Sequence, residues 1–341
     1  MPAGRANGGA VCGAAEGTAA ASVRGVLRGA AHASLLFAVA HLPAGPRAYH
    51  AVTRGLLRSQ RRVVRKLQRV WPGYARIWRE RCGLDLEGRT IWIHEPGWVP
   101  FAPLASYLLS GHGGVLTSTA EPPSGRYVRM TVRAVLDAQL EGDPAARAAR
   151  RARVADLAAG GVVDLLRATR AELATGVDPS ALPLAGASAD LCHSGGVLEH
   201  YTPEVLRAFL RESFRILRPG GVASHVYDHR DHLRHVDPRW PFLLHMALPD
   251  AVYRAAFGHP LLFHNRLAPA QVMSLFEAAG FEPIAARRFV LPDKRYVDAG
   301  AAQAGEAGVP AWLNSGRLAA LSSEDRHTAA IHYLYRKPVR S

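Results

Sequence analysis

Between Ala189 and Tyr227 the chain alternates a short apolar run, a helical stretch and a second apolar run. Ala189-Asp190-Leu191-Cys192-His193 reads as a strand, Pro203 to Leu217 as a helix, Arg218-Pro219-Gly220-Gly221 as a turn and Val222 to Tyr227 as another strand. Alternation of this kind calls for an α/β architecture with a mostly parallel sheet. It begins near Arg89: Thr90 to Ile93 reads as a first strand, Leu104 to Leu109 as part of a helix, and Gly114 to Thr117 as a second strand. Helices are expected from Arg129 to Leu140 and from Arg147 to Leu173. Further on, Pro269 to Ala279 reads as a helix ended by Gly280, and Pro283 to Val290 and Thr328 to Arg336 as strands. No internal repeat of the solenoid kind is present.

The 341 residues include 48% hydrophobic and 21% charged side chains, enough to bury a sizeable core. Three parts are expected: a disordered Ala/Gly-rich tail over 1–22, a basic helical extension or lid over 23–84, and one α/β domain over 85–341. The apolar run from Leu35 to Leu42 is far short of the ~20 residues a membrane span needs. A signal peptide is disfavoured by the long, weakly apolar stretch before it. Cys12, Cys82 and Cys192 share no C-x-x-C spacing, so neither a zinc site nor a disulfide framework is expected, and a reducing, cytoplasmic compartment fits.

The formal charge of +14 rests on 42 Lys+Arg against 28 Asp+Glu and favours anionic partners without choosing among them. Much of it lies in one segment. Leu56, Leu57, Val63, Val64, Leu67, Val70 and Trp71 recur at helical spacing, with Arg54, Arg58, Arg61, Arg62, Arg65, Lys66 and Arg69 between them. Prolines 43, 46 and 72 are expected to break the helical pattern. Such a helix fits a lid whose apolar stripe faces the core. It also offers a surface over 54–81 to an acidic protein or an anionic substrate, whereas nucleic acid or a membrane surface is the weaker reading.

The stretch from Ala189 to Ser224, with Asp190, Val197-Leu198-Glu199-His200 and Leu217-Arg218-Pro219-Gly220-Gly221, resembles the fourth and fifth strands of class I S-adenosylmethionine (SAM)-dependent methyltransferases of the type 11 kind. Phe276 to Phe281 and the final Tyr-Leu-Tyr-Arg-Lys-Pro strand also look like that family's C-terminal end. The resemblance spans roughly residues 85 to 340. It implies a Rossmann-like class I methyltransferase fold, SAM as cofactor, and methylation of a small molecule at oxygen or nitrogen, as in bacterial specialised metabolism such as antibiotic biosynthesis.

Open α/β sheets place ligands beyond the carboxyl ends of their strands. His193, Ser194, Gly195, Glu199 and His200 follow one strand and Asp228, His229, Asp231 and His232 the next. His193, Glu199, Asp228 and His232 are expected to face one cleft. Imidazole is the natural base near neutral pH, and Glu199 or Asp231 can orient His200 or His232. Without an H-x-x-x-H helix no metal is assigned.

The first strand's loop departs from the family's E-x-G-x-G. Here it reads Ile93-His94-Glu95-Pro96-Gly97-Trp98, so Gly97 alone survives. Glu95 is expected to set a carboxylate against that of the cofactor, and its replacement by glycine to improve SAM binding. Pro96 deletes a backbone donor. After the second strand Thr117-Ser118-Thr119 stands where the family has an acid. His94, Glu95, Gly97, Trp98, Ser118, Ser194 and Gly195 are the candidate cofactor contacts. Two other readings stay open: a repurposed enzyme that uses the pocket without SAM, for an intramolecular displacement or cyclisation of a polar or anionic intermediate, and a non-catalytic subunit serving a partner.

Overall fold

The computed structural model describes residues 23–45, 48–49, 52, 57–119, 124–138, 140, 144–235, 237, 240–290, 295–298 and 316–339. The expected tail over 1–22 lies outside them, as do Arg54 and Leu56. Eight strands form one sheet: β1 (Ile91–His94), β2 (Val115–Ser118), β3 (Glu172–Thr175), β4 (Ala189–Gly195), β5 (Leu217–Asp228), β6 (Glu282–Val290), β7 (Arg295–Asp298) and β8 (Thr328–Arg336). Their order is β3-β2-β1-β4-β5-β8-β6-β7. The pairings among β1 to β5 are parallel, while β8 runs antiparallel to both β5 and β6 and β7 adds an antiparallel edge. This is the Rossmann-like class I methyltransferase arrangement that the resemblance implied. Ile91 pairs with Leu191, Leu191 with Val222, and Trp92 with Val115, so the four neighbouring strands stand as expected.

The strand period of two divides the core. Ile91, Ile93, Leu191 and Val222 pack on one face with Phe101, Leu104 and Leu108, whereas Trp92, Cys192, Ala223 and Tyr227 pack on the other with Leu206, Phe209 and Phe276. Both faces of the central strands are covered, which is why they read as unbroken apolar runs. Asp190 pins the amino end of β4 through Thr90 N and the guanidinium groups of Arg89 and Arg218. Its place in the strand is structural.

The helices are α1 (Val23–His41), α2 (Leu57–Glu80), α3 (Phe101–Ser110), α4 (Val128–Asp137), α5 (Pro144–Asp156), α6 (Val162–Thr169), α7 (Pro203–Ile216), α8 (Leu244–Ala247), α9 (Asp250–Phe257), α10 (Pro269–Ala278), α11 (Gly316–Ala319) and α12 (Ser323–His327). In α7 the Thr202 hydroxyl accepts from Val205 N, Pro203 opens the helix, and Leu206, Phe209, Leu210, Ser213 and Ile216 form the buried stripe.

Four boundaries differ from the sequence expectation. Pro72 lies inside α2 instead of breaking it. The lost backbone hydrogen bond and the ring clash cost about 3 kcal/mol, and burial of Trp71, Ala75 and Trp78 around it offsets that cost. The long helix expected over 147–173 is split at Gly160-Gly161, where Asp164 accepts from Gly161 N to start α6, and Leu173 belongs to β3. Pro219-Gly220-Gly221 is not a connecting turn, because β5 already starts at Leu217. A Cβ on Gly221 would stand 2.8 Å from the Arg218 carbonyl and 3.2 Å from that of Asp190, so glycine there permits close approach to β4. Neither edge strand, β3 or β7, is expected from the sequence.

Trp78 is fully buried and donates from Nε1 to Ser224 Oγ on β5 at 2.8 Å, tying α2 to the sheet. Trp78→Ala is expected to lower unfolding free energy by about 3–5 kcal/mol, with Trp78→Phe costing clearly less. Denaturant unfolding of both variants measures this.

Candidate active site

The carboxyl ends of β1, β4 and β5 open into a cavity of about 320 Å³, roofed by α2. The β1 loop contributes His94, Glu95, Pro96 and Gly97. β4 and the residue after it contribute His193, Ser194, Gly195 and Gly196, and the end of β5 contributes Val226 and Asp228, with Arg230 following. Lys66, Trp71 and Tyr74 of α2 close it from above.

Glu95 lines the cavity, but its carboxylate is seated on the tip of β2 and is not left unpaired beside its own loop as the sequence suggested. Its backbone takes φ 54°, a left-handed value that costs a non-glycine residue about 1–2 kcal/mol. Glu95 N is held by the Thr117 carbonyl at 2.8 Å. This turn carries the side chain sideways to the tip of β2, where its carboxylate accepts from Ser118 Oγ at 2.9 Å and from Thr119 N at 2.6 Å. An acid therefore stands at the end of β2, although β2 itself supplies none. Gly97, at φ 76°, has open space where a Cβ would project.

His94 is buried, and both ring nitrogens have partners: Nδ1 with Thr117 Oγ1 at 2.8 Å and Nε2 with Tyr201 OH at 2.5 Å. Trp92 Nε1 donates to the same Thr117 hydroxyl. Burial lowers the His94 pKa to about 4 against the opposing charge of Glu95. It is a rigid wall and not a proton carrier.

His193 is an imidazole of the cavity wall held through one ring nitrogen. Its Nδ1 lies 2.9 Å from the Ser224 carbonyl, which can only accept, so the proton sits on Nδ1 and the Nε2 lone pair is left available. Nε2 lies toward Gly195, 4.0 Å from where a Cβ there would stand. The rings of Tyr74, Trp78 and Trp71 surround it at 4.8, 5.2 and 5.9 Å. Burial among them lowers its pKa to about 4, partly countered by the Ser224 hydrogen bond. Asp228 is different. Burial raises its pKa, but the Arg230 charge and hydrogen bonds from His235 and Arg230 outweigh that and hold it well below the usual carboxylate range. Arg230 grips both its oxygens, at 3.0 and 2.8 Å.

The other sequence candidates lie elsewhere. Ser118 holds Glu95, and Trp98 is half-buried with its carbonyl accepting from Ser124 N; neither lines the cavity. Glu199, His200 and His232 form a separate cluster beside it. Asp231 accepts from Leu233 N and His245 N instead of orienting His200 or His232, and His229 stacks on Tyr227 and meets Tyr333 OH. Two adjacent strand ends do not deliver all their side chains to one cleft, because after β4 and β5 the chain turns through short 3-10 segments at Leu198–His200 and His232–His235. Sequence reading had not assigned Tyr74, Arg230 or Lys66 to the cavity, or Tyr201 to its wall. The stripe through Leu67, Val70 and Trp71 was the available signal for α2, since Tyr74 continues it.

The strand order and the position of this cavity are those of a class I methyltransferase-type fold. A family model described as a methyltransferase domain matches residues 142–224, in agreement with the resemblance carried by the fourth and fifth strands. No curated protein matches the chain. Similar solved structures include an S-adenosylmethionine-dependent methyltransferase from Mesorhizobium loti (14% identity, TM-score 0.40, 78% of this chain and 99% of that one). Another is the 1,6-didemethyltoxoflavin N1-methyltransferase of Burkholderia thailandensis with bound S-adenosylhomocysteine (16%, 0.40, 87% and 92%). A third is the [4+2]-cyclase SpnF (17%, 0.41, 79% and 82%). Likenesses this loose assign no activity.

Burial lowers the pKa of His94, His193 and His264 to about 4 and of His229 to about 3, and moves His225, His245 and His332 well down. Each has a folded pKa below its unfolded one, so the unfolded chain binds more protons in between. Their stabilising effect is complete above about pH 6.5 and is lost as pH falls toward the folded values, at up to about 1.4 kcal/mol per pH unit for each group. Burial raises Asp231 to about 6 and Glu199 well above its usual range, which opposes the trend with fewer groups. Melting temperature is therefore expected to fall steeply from pH 7 to pH 5; a flat profile would contradict the neutral buried imidazoles.

Proposed function

We propose that the protein is a SAM-dependent methyltransferase acting at an oxygen or nitrogen of a small, polar or anionic molecule, with α2 as the lid of the site. The observation that carries this reading is the Glu95 carboxylate seated at the tip of β2 on Ser118 and Thr119. It supplies, from the neighbouring strand, the acid that the family places after β2 for the ribose hydroxyls. The donor set thus fits SAM, with Glu95 toward the ribose and Gly97, Ser194 and Gly195 offering backbone approach. SAM, when bound, supplies an electrophilic methyl group.

The chain's own part is to exclude water, orient the acceptor and take its proton. Trp71 and Tyr74 cover the cavity, and Lys66 brings it a positive charge for an anionic acceptor, that of Arg230 being taken up by Asp228. His193 Nε2 is the acceptor for the proton lost by the nucleophile. Its low basicity suits an acceptor that sheds its proton as the bond to the methyl group forms. The exposed face of α2, with Arg61, Arg62, Arg65 and Arg69, offers charge to an acidic partner. Buried, unpaired Cys82 and Cys192 suit a reducing cytoplasm. A second reading, an intramolecular displacement or cyclisation without SAM, is favoured by Pro96 and by a cavity at the small end of the range for small-molecule sites.

Calorimetry with S-adenosylhomocysteine separates the two. Wild type is expected to bind it, and Glu95→Gln to weaken binding about tenfold or more, or about 1.4 kcal/mol. Glu95→Gly should weaken it as well, while relieving backbone strain. Absence of binding, or a gain in affinity in Glu95→Gly, would move the reading to cofactor-free chemistry. With an acceptor in hand, His193→Ala is expected to reduce kcat about 100-fold with little change in the cofactor's Kd.

A further inference from the structure

The cluster beside the cavity has a different chemistry from the cavity itself. Glu199 and His200 sit on the 3-10 turn after β4 and His232 opens the one after β5. One ligand-type atom from each lies within 4.8 Å of the others, so the three converge from two adjacent strand ends. The His200 and His232 rings are 4.8 Å apart and inclined by 58°.

Two of the three members are prepared for a cation. His200 Nδ1 donates to the Phe263 carbonyl at 3.0 Å, which fixes the tautomer and leaves Nε2 as a lone pair. A carbonyl on the far nitrogen is the usual support of a metal-bound histidine. Glu199 is 1% exposed, and its Oε2 is buried with no hydrogen-bond partner. An orphaned buried carboxylate oxygen is unfavourable unless it is protonated or meets a cation. The turn is also clamped: Asn265 Nδ2 donates to the Leu198 and Tyr201 carbonyls at 3.1 and 2.9 Å, its backbone N to the Glu199 carbonyl at 2.6 Å, and Tyr227 OH donates to its Oδ1. Such a scaffold holds ligands in place before the ion arrives.

We propose that Glu199, His200 and His232 bind one divalent first-row transition metal, of which zinc is the representative. Two imidazoles and one carboxylate form a set that leaves coordination positions open, as in metal sites that act on substrates. Asp228, His232 and His235 form a second convergent group sharing His232, but Arg230 already holds Asp228, so that group is the outer shell. The site adjoins the cavity. Gly196 lines the cavity and a Cβ on it would stand 3.5 Å from Glu199 Oε1, and Asp228 belongs to both. An open position there serves an oxygen or nitrogen donor of the substrate. The assignment does not rest on methyl transfer, and it revises the expectation that no metal is used.

The test uses the full chain without an affinity tag, stripped with chelator and titrated with Zn²⁺ by calorimetry and with Co²⁺ by visible absorption. One ion per chain is expected, with Co²⁺ ligand-field bands and a raised melting temperature. His232→Ala and Glu199→Gln are each expected to weaken Zn²⁺ about 100-fold. Should Glu199→Gln not fold, His232→Ala, whose side chain is only half-buried, decides alone. Absence of saturable binding, or affinity and Co²⁺ spectrum unchanged in His232→Ala, overturns the proposal. Binding of S-adenosylhomocysteine is read separately, so failure of either assignment is seen without the other.

Discussion

Ser224, fully buried on β5, joins the parts on which the site depends. Its hydroxyl accepts from Trp78 Nε1, which leaves its own proton for His332 Nε2 at 2.8 Å. Its carbonyl accepts a hydrogen bond from His193 Nδ1. One small residue thereby anchors the helix that roofs the cavity and fixes the tautomer of the base below it. Neutral imidazoles are the only state compatible with this arrangement. His193 and His332 lie with ring centroids 6.4 Å apart in a dry interior, where a charge on either would be unpaired.

The sheet was legible in the sequence because both faces of its central strands are buried, so Ile91 to Ile93, Ala189 to His193 and Val222 to Tyr227 stand out as apolar runs. The Leu217 to Gly221 motif was also legible, although its physical role was misassigned. Gly221 lets β5 lie close against β4 and does not merely turn the chain. Local patterns gave less where two competing effects met. Pro72 predicts a break by its own chemistry, and only the burial of Trp71 and Trp78 against distant partners such as His193 and Ser224 outweighs it. Edge strand β7 carries no apolar run that marks it.

The site was legible as a rim but not as a division of that rim. Of the residues expected at the strand ends, His193, Ser194, Gly195 and Asp228 line one cavity together with the β1 loop. The same expectation took in Glu199 and His232, which the 3-10 turns carry aside. Sequence spacing fixes how far a residue lies beyond a strand, not the direction in which a tight turn then sends it. Asn265, nearly seventy residues after the turn it clamps, decides that direction, and nothing local to Glu199 announces it.

Glu95 shows the same limit from the other side. Aligned by position it replaces a glycine and places negative charge where a carboxylate-bearing cofactor would lie. In space, one left-handed residue carries its carboxylate across to the neighbouring strand. The strain of that conformation, about 1–2 kcal/mol, is smaller than the gain from two hydrogen bonds to a carboxylate, each worth about 1.5–3 kcal/mol. The exchange is therefore affordable locally. Glycine at 95 would ease the backbone, yet it would remove the carboxylate that Ser118 and Thr119 hold at the tip of β2, where Thr117, Ser118 and Thr119 themselves supply only hydroxyls and amides. A departure that looks like erosion of a motif when read along the chain is a relocation of its charge when read across the sheet.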